Sequence, residues 1–189
     1  MRLPDFFANE AGVLLEGGNS LFVGNAEGFV RLNLAMPRSI LKTGMERMAE
    51  SIEKYKKEAD ISQLNDTPSR QKIIDENDHI YETDTEEYIS ILKTITTKQD
   101  RNPNSGVIEY NYKKTGKFNY RYLTARECII AMGFDEADYD ALAEYNASKN
   151  SLRDVFSEGK IIKMAGNSIV VNVLEAIFGQ VDYINKNIL

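Results

Sequence analysis

The chain has 189 residues, 42% of them hydrophobic and 28% charged, enough to bury one sizeable core or two modest ones, and no run nears the roughly 18 consecutive apolar residues of a membrane span. Its net charge of −6 argues against wholesale coating of nucleic acid. One cysteine, Cys128, and one histidine, His79, exclude an internal disulfide framework and a Cys- or His-based metal site, so no metal is expected. The opening MRLPDFFANEAG lacks the apolar segment of a secretion signal, which with the single thiol predicts a cytoplasmic chain without a membrane partner.

Residues 7–36 read as strands: GVLLE, a glycine-rich GGN turn, then GFVRLNLA, where Phe29, Arg31, Asn33 and Ala35 alternate with Val30, Leu32 and Leu34. Pro37 then opens a long helix in which Ile40, Leu41, Met45, Met48, Ile52 and Tyr55 form one buried stripe. Residues 59–78 are polar and carry no period, so they read as a linker. Beyond them the β-branched and aromatic runs of YISILKTITTK, GVIEYNY and KFNYRYL are divided by NPNSG and KKTGK, which predicts strands and hairpins. LTARECIIAMGF opens on Thr124 with Glu127 three residues on, a capping box, and Gly133 supplies a helix stop. DEADYDALAEY and KNSLRDVFSEG read as short helices. NSIVVNVLEAIFGQVDYINKNI is the longest late one, with a stripe of Ile169, Val170, Val173, Leu174, Ile177, Phe178, Val181 and Ile184.

Charge is uneven along this order. From Lys93 to Arg126 there are eight basic residues against Asp100 and Glu109, a window of +6 in a chain whose remainder carries −12. Tyr110, Tyr112, Phe118, Tyr120 and Tyr122 interleave with those cations, which suits phosphate contact and base packing. A twisted hairpin with core aromatics and solvated lysines accounts for the same pattern.

RYLTARECIIAMGF, followed some thirty residues later by KMAGNSIVVNVLEAIF, resembles the C-terminal end of the DNA (cytosine-5) methyltransferases. There a motif R-x-L-T-x-R-E-C-x-x-x-M-G-F precedes one ending A-G-N-S-V/I-V-V, and TITTKQDRNPNSG resembles the edge of that family's target-recognition region. The resemblance covers about residues 70–189. It implies an α/β fold, here a fragment of a Rossmann-like catalytic domain with part of its recognition region. It also implies an S-adenosylmethionine site to which Gly166, Asn167 and Ser168 contribute, at a helix N-terminus that would favour an anion. The alternative is that Asn167 and Ser168 only cap a core helix. Arg121, Thr124, Arg126 and Glu127 fall where the family braces its recognition region against the catalytic domain, so they are expected to be architectural. Arg101, Lys113, Lys114 and Lys117 are the candidates for contact with the backbone of double-stranded DNA. The family's chemistry needs a thiolate after a proline, a glutamate in Glu-Asn-Val and an F-x-G-x-G loop, and the 189 residues contain none of these. Cys128 follows Glu127 in an apolar helical turn and is expected to be a buried, inert thiol.

GFVRLNLAMPRSILKTGMERM, within residues 1–58, resembles instead the end of the pyridoxal-phosphate-dependent aminotransferases and cystathionine β-lyases, with an N-terminal β-hairpin and long helix from their small domain. That resemblance makes Arg31 a binder of a substrate carboxylate, against the plainer reading of a solvent-facing strand arginine. Binding of pyridoxal phosphate itself is not expected, because Lys42, Lys54, Lys56 and Lys57 match no Schiff-base position. The expected organisation is therefore residues 1–58, a linker over 59–78, and a methyltransferase-like segment over 79–189. Isolated, it is expected to be inactive unless a complementing methyltransferase chain supplies the nucleophile. The alternatives are a pyridoxal-enzyme remnant and a non-catalytic chimeric or interaction fragment.

Overall fold

In the computed structural model, which describes residues 3–17, 29–76, 79–82, 87–88, 92–99, 101–112, 114–148 and 155–188, the chain divides into two units, Met1–Glu58 and Ala59–Leu189. The first begins with a helix, α1 (Leu3–Ala11), where strands were expected from residue 7. Phe7 and Ala11, one helical turn apart, are both buried, and Asp5 places a carboxylate in the first turn. Gly12 follows at φ 61°, and the Val13 N–H donates to the Phe7 carbonyl at 3.0 Å, the left-handed glycine closure of a helix end. Two residues on each side then form the hairpin: β1 (Glu16–Gly17) pairs antiparallel with β2 (Val30–Arg31). Its GGN turn lies largely outside the described residues.

The long helix is present as α2 (Arg38–Ile61), its last residues counted with the second unit. Its expected buried stripe is not buried. Among its residues only Ser51 is, while Ile40, Met45 and Ile52 are 60%, 56% and 47% exposed. Tyr55 meets Phe6 of α1 edge to face at 5.2 Å between ring centres, so α1 covers only the part of the stripe it can reach.

Residues 59–78 are no linker. They hold β3 (Gln63–Asn65) and α3 (Pro68–Glu76), because Leu64 and Ile74 bury in one small cluster with Val107 and single apolar residues suffice to fix short elements. The second unit continues with β4 (His79–Glu82), β5 (Glu87–Tyr88), β6 (Val107–Glu109) and β7 (Lys117–Arg121). The sheet runs in the order β3-β7-β6-β4-β5, and among the described strands only the β4–β6 pair is parallel. The fold is thus mixed α and β, as expected, but this sheet is not the parallel layer of a Rossmann-like domain, since three of its four described strand pairs are antiparallel. Of Leu92–Thr97, expected as strand, residues 92–96 belong to no helix or strand and Thr97 opens a turn.

Four helices follow: α4 (Ala125–Ala131), α5 (Glu136–Ser148), α6 (Glu158–Asn167) and α7 (Val171–Asn187). Of the helix expected over KNSLRDVFSEG, residues 149–154 lie outside the described residues, and Val155–Ser157 is not helical. Sequence reading missed α6 and ran its last residues into the turn before α7. The core gathers Leu123, Cys128, Ile129, Met132, Tyr139, Ile161, Ile162 and Ala165 from the β7–α4 junction, α4, α5 and α6, with Ile95 beside them. The α7 stripe stays open: Val173, Ile177, Phe178, Val181 and Ile184 are 42% to 65% exposed, and no residue of α7 is buried. By length and composition Glu158–Asn187 could cross a membrane, an 18-residue window within it having a mean hydropathy of 1.5. The run is broken at Ser168–Val170 between α6 and α7, however.

Candidate cofactor turn and nucleic-acid interface

Thr124 caps α4 as the sequence requires. Its hydroxyl accepts from the Glu127 N–H at 3.2 Å, and Glu127 Oε2 accepts from the Thr124 N–H at 2.8 Å. The same carboxylate receives Arg121 of β7 in a two-pronged pair at 2.7 and 2.8 Å. Strand β7 and helix α4 are therefore locked across three residues of chain. Arg126 looks the other way. It is 2% exposed, pairs with Glu136 at 2.5 Å and Asp140 at 3.2 Å, and lies over the Tyr139 ring at 4.2 Å. Arg121, Thr124, Arg126 and Glu127 thus form two networks on one short helix, one toward the sheet and one toward α5.

Gly133, at φ 86°, ends α4 in a conformation that a side chain would strain. Directly before it the Met132 carbonyl accepts from the Val171 N–H at 2.9 Å, so the end of α4 receives the start of α7. Cys128, between these features, is fully buried. Burial, with Glu127 and Glu158 nearby, pushes its thiol up to about 12, and Sγ points at the Leu123 carbonyl at 3.8 Å. Such a placement holds the thiol in its protonated form and away from solvent.

Gly166, Asn167 and Ser168 occupy a different position from the one expected. Gly166 and Asn167 are the last residues of α6, and Ser168 is its C-cap, its N–H donating to the Ala165 carbonyl at 3.0 Å. The N-cap of α7 is Val170, with no side-chain cap, so neither Asn167 nor Ser168 caps that helix. The residues that join the two helices are Ser168, Ile169 and Val170. Gly166 is needed there for a protein contact: a Cβ at this position would meet the Thr96 carbonyl carbon and the Thr97 nitrogen, each at 2.4 Å. Asn167 is exposed, while Ser168 is half-buried and donates its hydroxyl to the Ile169 carbonyl at 3.1 Å. The anion-favouring helix N-terminus expected at this turn is therefore not where these residues lie, since they close the C-terminal, negative end of α6.

The segment packed on Gly166 carries the exposed cations Lys98 and Arg101. It is held from several sides. Buried Gln99 donates to the Ser105 hydroxyl, Asn104 Nδ2 donates to the Thr94 carbonyl at 2.9 Å, and Arg70 of α3 donates to the Arg101 carbonyl. Of the other expected DNA contacts, Lys113 lies outside the described residues. Lys114 pairs with Asp60 at 2.8 Å, and Lys117 donates to the Gln63 carbonyl at 3.2 Å and to Asn65 at 2.7 Å, so both brace β3 and its neighbours. Tyr110 also donates to Asp60, at 2.7 Å, and burial with that bond raises its hydroxyl to about 12. Arg31 is exposed and pairs with Glu16 at 3.6 Å across the β1–β2 hairpin. Lys98 belonged to the basic window without being singled out, and Arg70 fell in the supposed linker. The signal that could have found Lys98 was the turn chemistry of KQDRNPNSG, whereas Arg70 reaches Arg101 from 31 residues away and left no local signal.

The model of the C-5 cytosine-specific DNA methylase family matches residues 31–182 of the 189. The match takes in Arg31 and α2 as well as the five-stranded sheet, the α4 networks and the Gly166–Ser168 turn. No curated protein matches the chain.

Proposed function

Since the chain belongs to the C-5 cytosine-specific DNA methylase family, we propose that it supplies the DNA-contacting and cofactor-closing segments of a cytosine-5 methyltransferase of the restriction-modification kind. The catalytic cysteine loop comes from outside these 189 residues. The observation that carries the reading is the family match over 31–182, joined to a buried thiol in the chain's single cysteine. S-adenosylmethionine supplies the methyl group in this reaction. Asn167 would donate its amide to the cofactor's carboxylate, with Ser168 as a second polar contact. Lys98 and Arg101, on a turn pinned by Gln99 and Arg70, would contact phosphates, with Lys113, Lys114 and Lys117 as further cations of the same window. Arg121, Thr124, Arg126 and Glu127 hold β7, α4 and α5 in register without touching substrate.

A complementing chain with a Pro-Cys loop is the partner this reading requires, and a reducing cytoplasm its setting. The likeness of residues 1–58 to pyridoxal-phosphate lyases is the second reading. It is favoured only by the exposed Arg31, and the pair with Glu16 weakens it as a carboxylate binder.

Labelled S-adenosylmethionine, a cytosine-containing duplex and the purified chain test the assignment. Label should enter DNA only when a cytosine-5 methyltransferase chain lacking its own C-terminal segment is added. Labelling by the chain alone, or none in the mixture despite duplex binding, overturns it.

A further inference from the structure

Gly166 sits where α6 runs against the segment carrying Lys98 and Arg101. A Cβ built on it would lie 2.4 Å from the carbonyl carbon of Thr96, 2.4 Å from the nitrogen of Thr97 and 2.7 Å from the Thr96 oxygen. All three are backbone atoms, so no change of rotamer makes room, and a side chain at 166 must push one main chain off the other.

What lies beyond that contact is stiff. The Gln99 N–H donates to the Thr96 carbonyl at 3.2 Å, and the Arg101 and Asn102 N–H groups both donate to the Lys98 carbonyl at 2.8 Å. The Gln99 side chain is buried against Ser105, whose N–H reaches it at 3.5 Å. A shift at Thr96–Thr97 is therefore carried into the turn that aims Lys98 and Arg101. On the other side of the contact, Gly166 is continuous with Asn167 and Ser168, and the Ser168 N–H is held by the Ala165 carbonyl at 3.0 Å.

We propose that Gly166 is a positioning residue that locks the Asn167–Ser168 turn to the turn bearing Lys98 and Arg101, so that placing phosphates on one fixes the other. The proposal rests on the reading of Lys98 and Arg101 as phosphate contacts. Coupling of this kind is reciprocal: ordering either turn favours the geometry of both.

The test measures duplex affinity against salt for the full chain, with wild type, K98Q/R101Q, G166A, the triple variant and G159A. Gly159 is the control, since it lies in the same helix with nothing within 4 Å of its Cβ position. Loss of both cations should lower the slope of log K on log[salt] by roughly 1.8, at about 0.9 per phosphate contact. G166A should lower it by a comparable amount, the triple variant no further than K98Q/R101Q, and G159A not at all. Wild-type affinity and slope in G166A, or losses that add in the triple variant, overturn the proposal. An unchanged slope in K98Q/R101Q instead overturns the phosphate assignment beneath it.

If G166A does not fold, amide exchange on the wild-type chain decides. Duplex should slow exchange at Gln99 and Ser168 together, and protection confined to Gln99 overturns the coupling.

Discussion

Arg126 holds a full charge at a position 2% exposed, which is tolerable only because Glu136 and Asp140 neutralise it and the Tyr139 ring covers it. Truncation to alanine removes a buried partner of two acids and opens a cavity. It should cost about 3 kcal/mol, the low end for breaking a buried pair, because both acids keep access to water. Equilibrium denaturation measures this, and E136Q should cost less than R126A, since Asp140 remains. T124A, which removes one cap, should cost about 1 kcal/mol. Cys128 contributes to the alkaline side of the pH response. Its thiol is raised from 9.0 to about 12, so the folded state favours the protonated form. The stability it confers is complete below pH 9 and is lost as pH rises toward 12. Tyr110, raised from 10.0 to about 12, acts in the same sense over a narrower window. Denaturation midpoints should stay level to about pH 9 and then fall, less steeply in C128A, and an alkylating reagent at pH 8 should leave the folded thiol unmodified.

Among the elements, α4 was legible in the sequence because its signals are local: Thr124 and Glu127 close a capping box within one turn, and Gly133 ends the helix with its own dihedral. Helix α2 was legible for its length and stripe, but not for its burial, since periodicity names an apolar face without saying whether anything covers it. Three misses share one cause. Helix α1 was hidden by β-branched and glycine-rich chain just after it, β3 and α3 by a polar composition that one buried leucine and one isoleucine override, and α6 by the glycine that sequence reading assigned to a ligand. Each depends on a contact distant in the chain, which no local pattern contains. The site divides the same way. Arg121, Thr124 and Glu127 lie within seven residues and meet in one network, whereas the packing of Gly166 on Thr96–Thr97 joins residues far apart in the chain and was invisible. The interlock predicts an order of loosening in α6: Gly166→Ala should speed amide exchange at Ile162 and Ala165 while exchange at Ile129 of α4 changes little.

For the whole molecule, the two units Met1–Glu58 and Ala59–Leu189 pose separate folding problems. The second holds both buried clusters, and an expressed piece beginning at Ala59 should keep the protected Cys128 thiol and the cooperative melt of the α4–α6 core. Loss of thiol protection in that piece would show that residues 1–58 are needed for the core. Helix α7 departs from this core. Every residue from Glu175 to Ile188 is exposed, so its amides should exchange within a small factor of the unprotected rate, while those of Ile129 and Ile162 are retained. The open stripe also has an optical use. The chain contains no tryptophan, and Phe178 is 65% exposed at the middle of that stripe. A single indole placed there by F178W would be the sole long-wavelength emitter, red-shifted while α7 stands in water and moving to the blue when apolar surface covers it. The bare helix would thereby report by emission colour alone on any apolar surface that covers it, and the complementing chain proposed above is the one to titrate in.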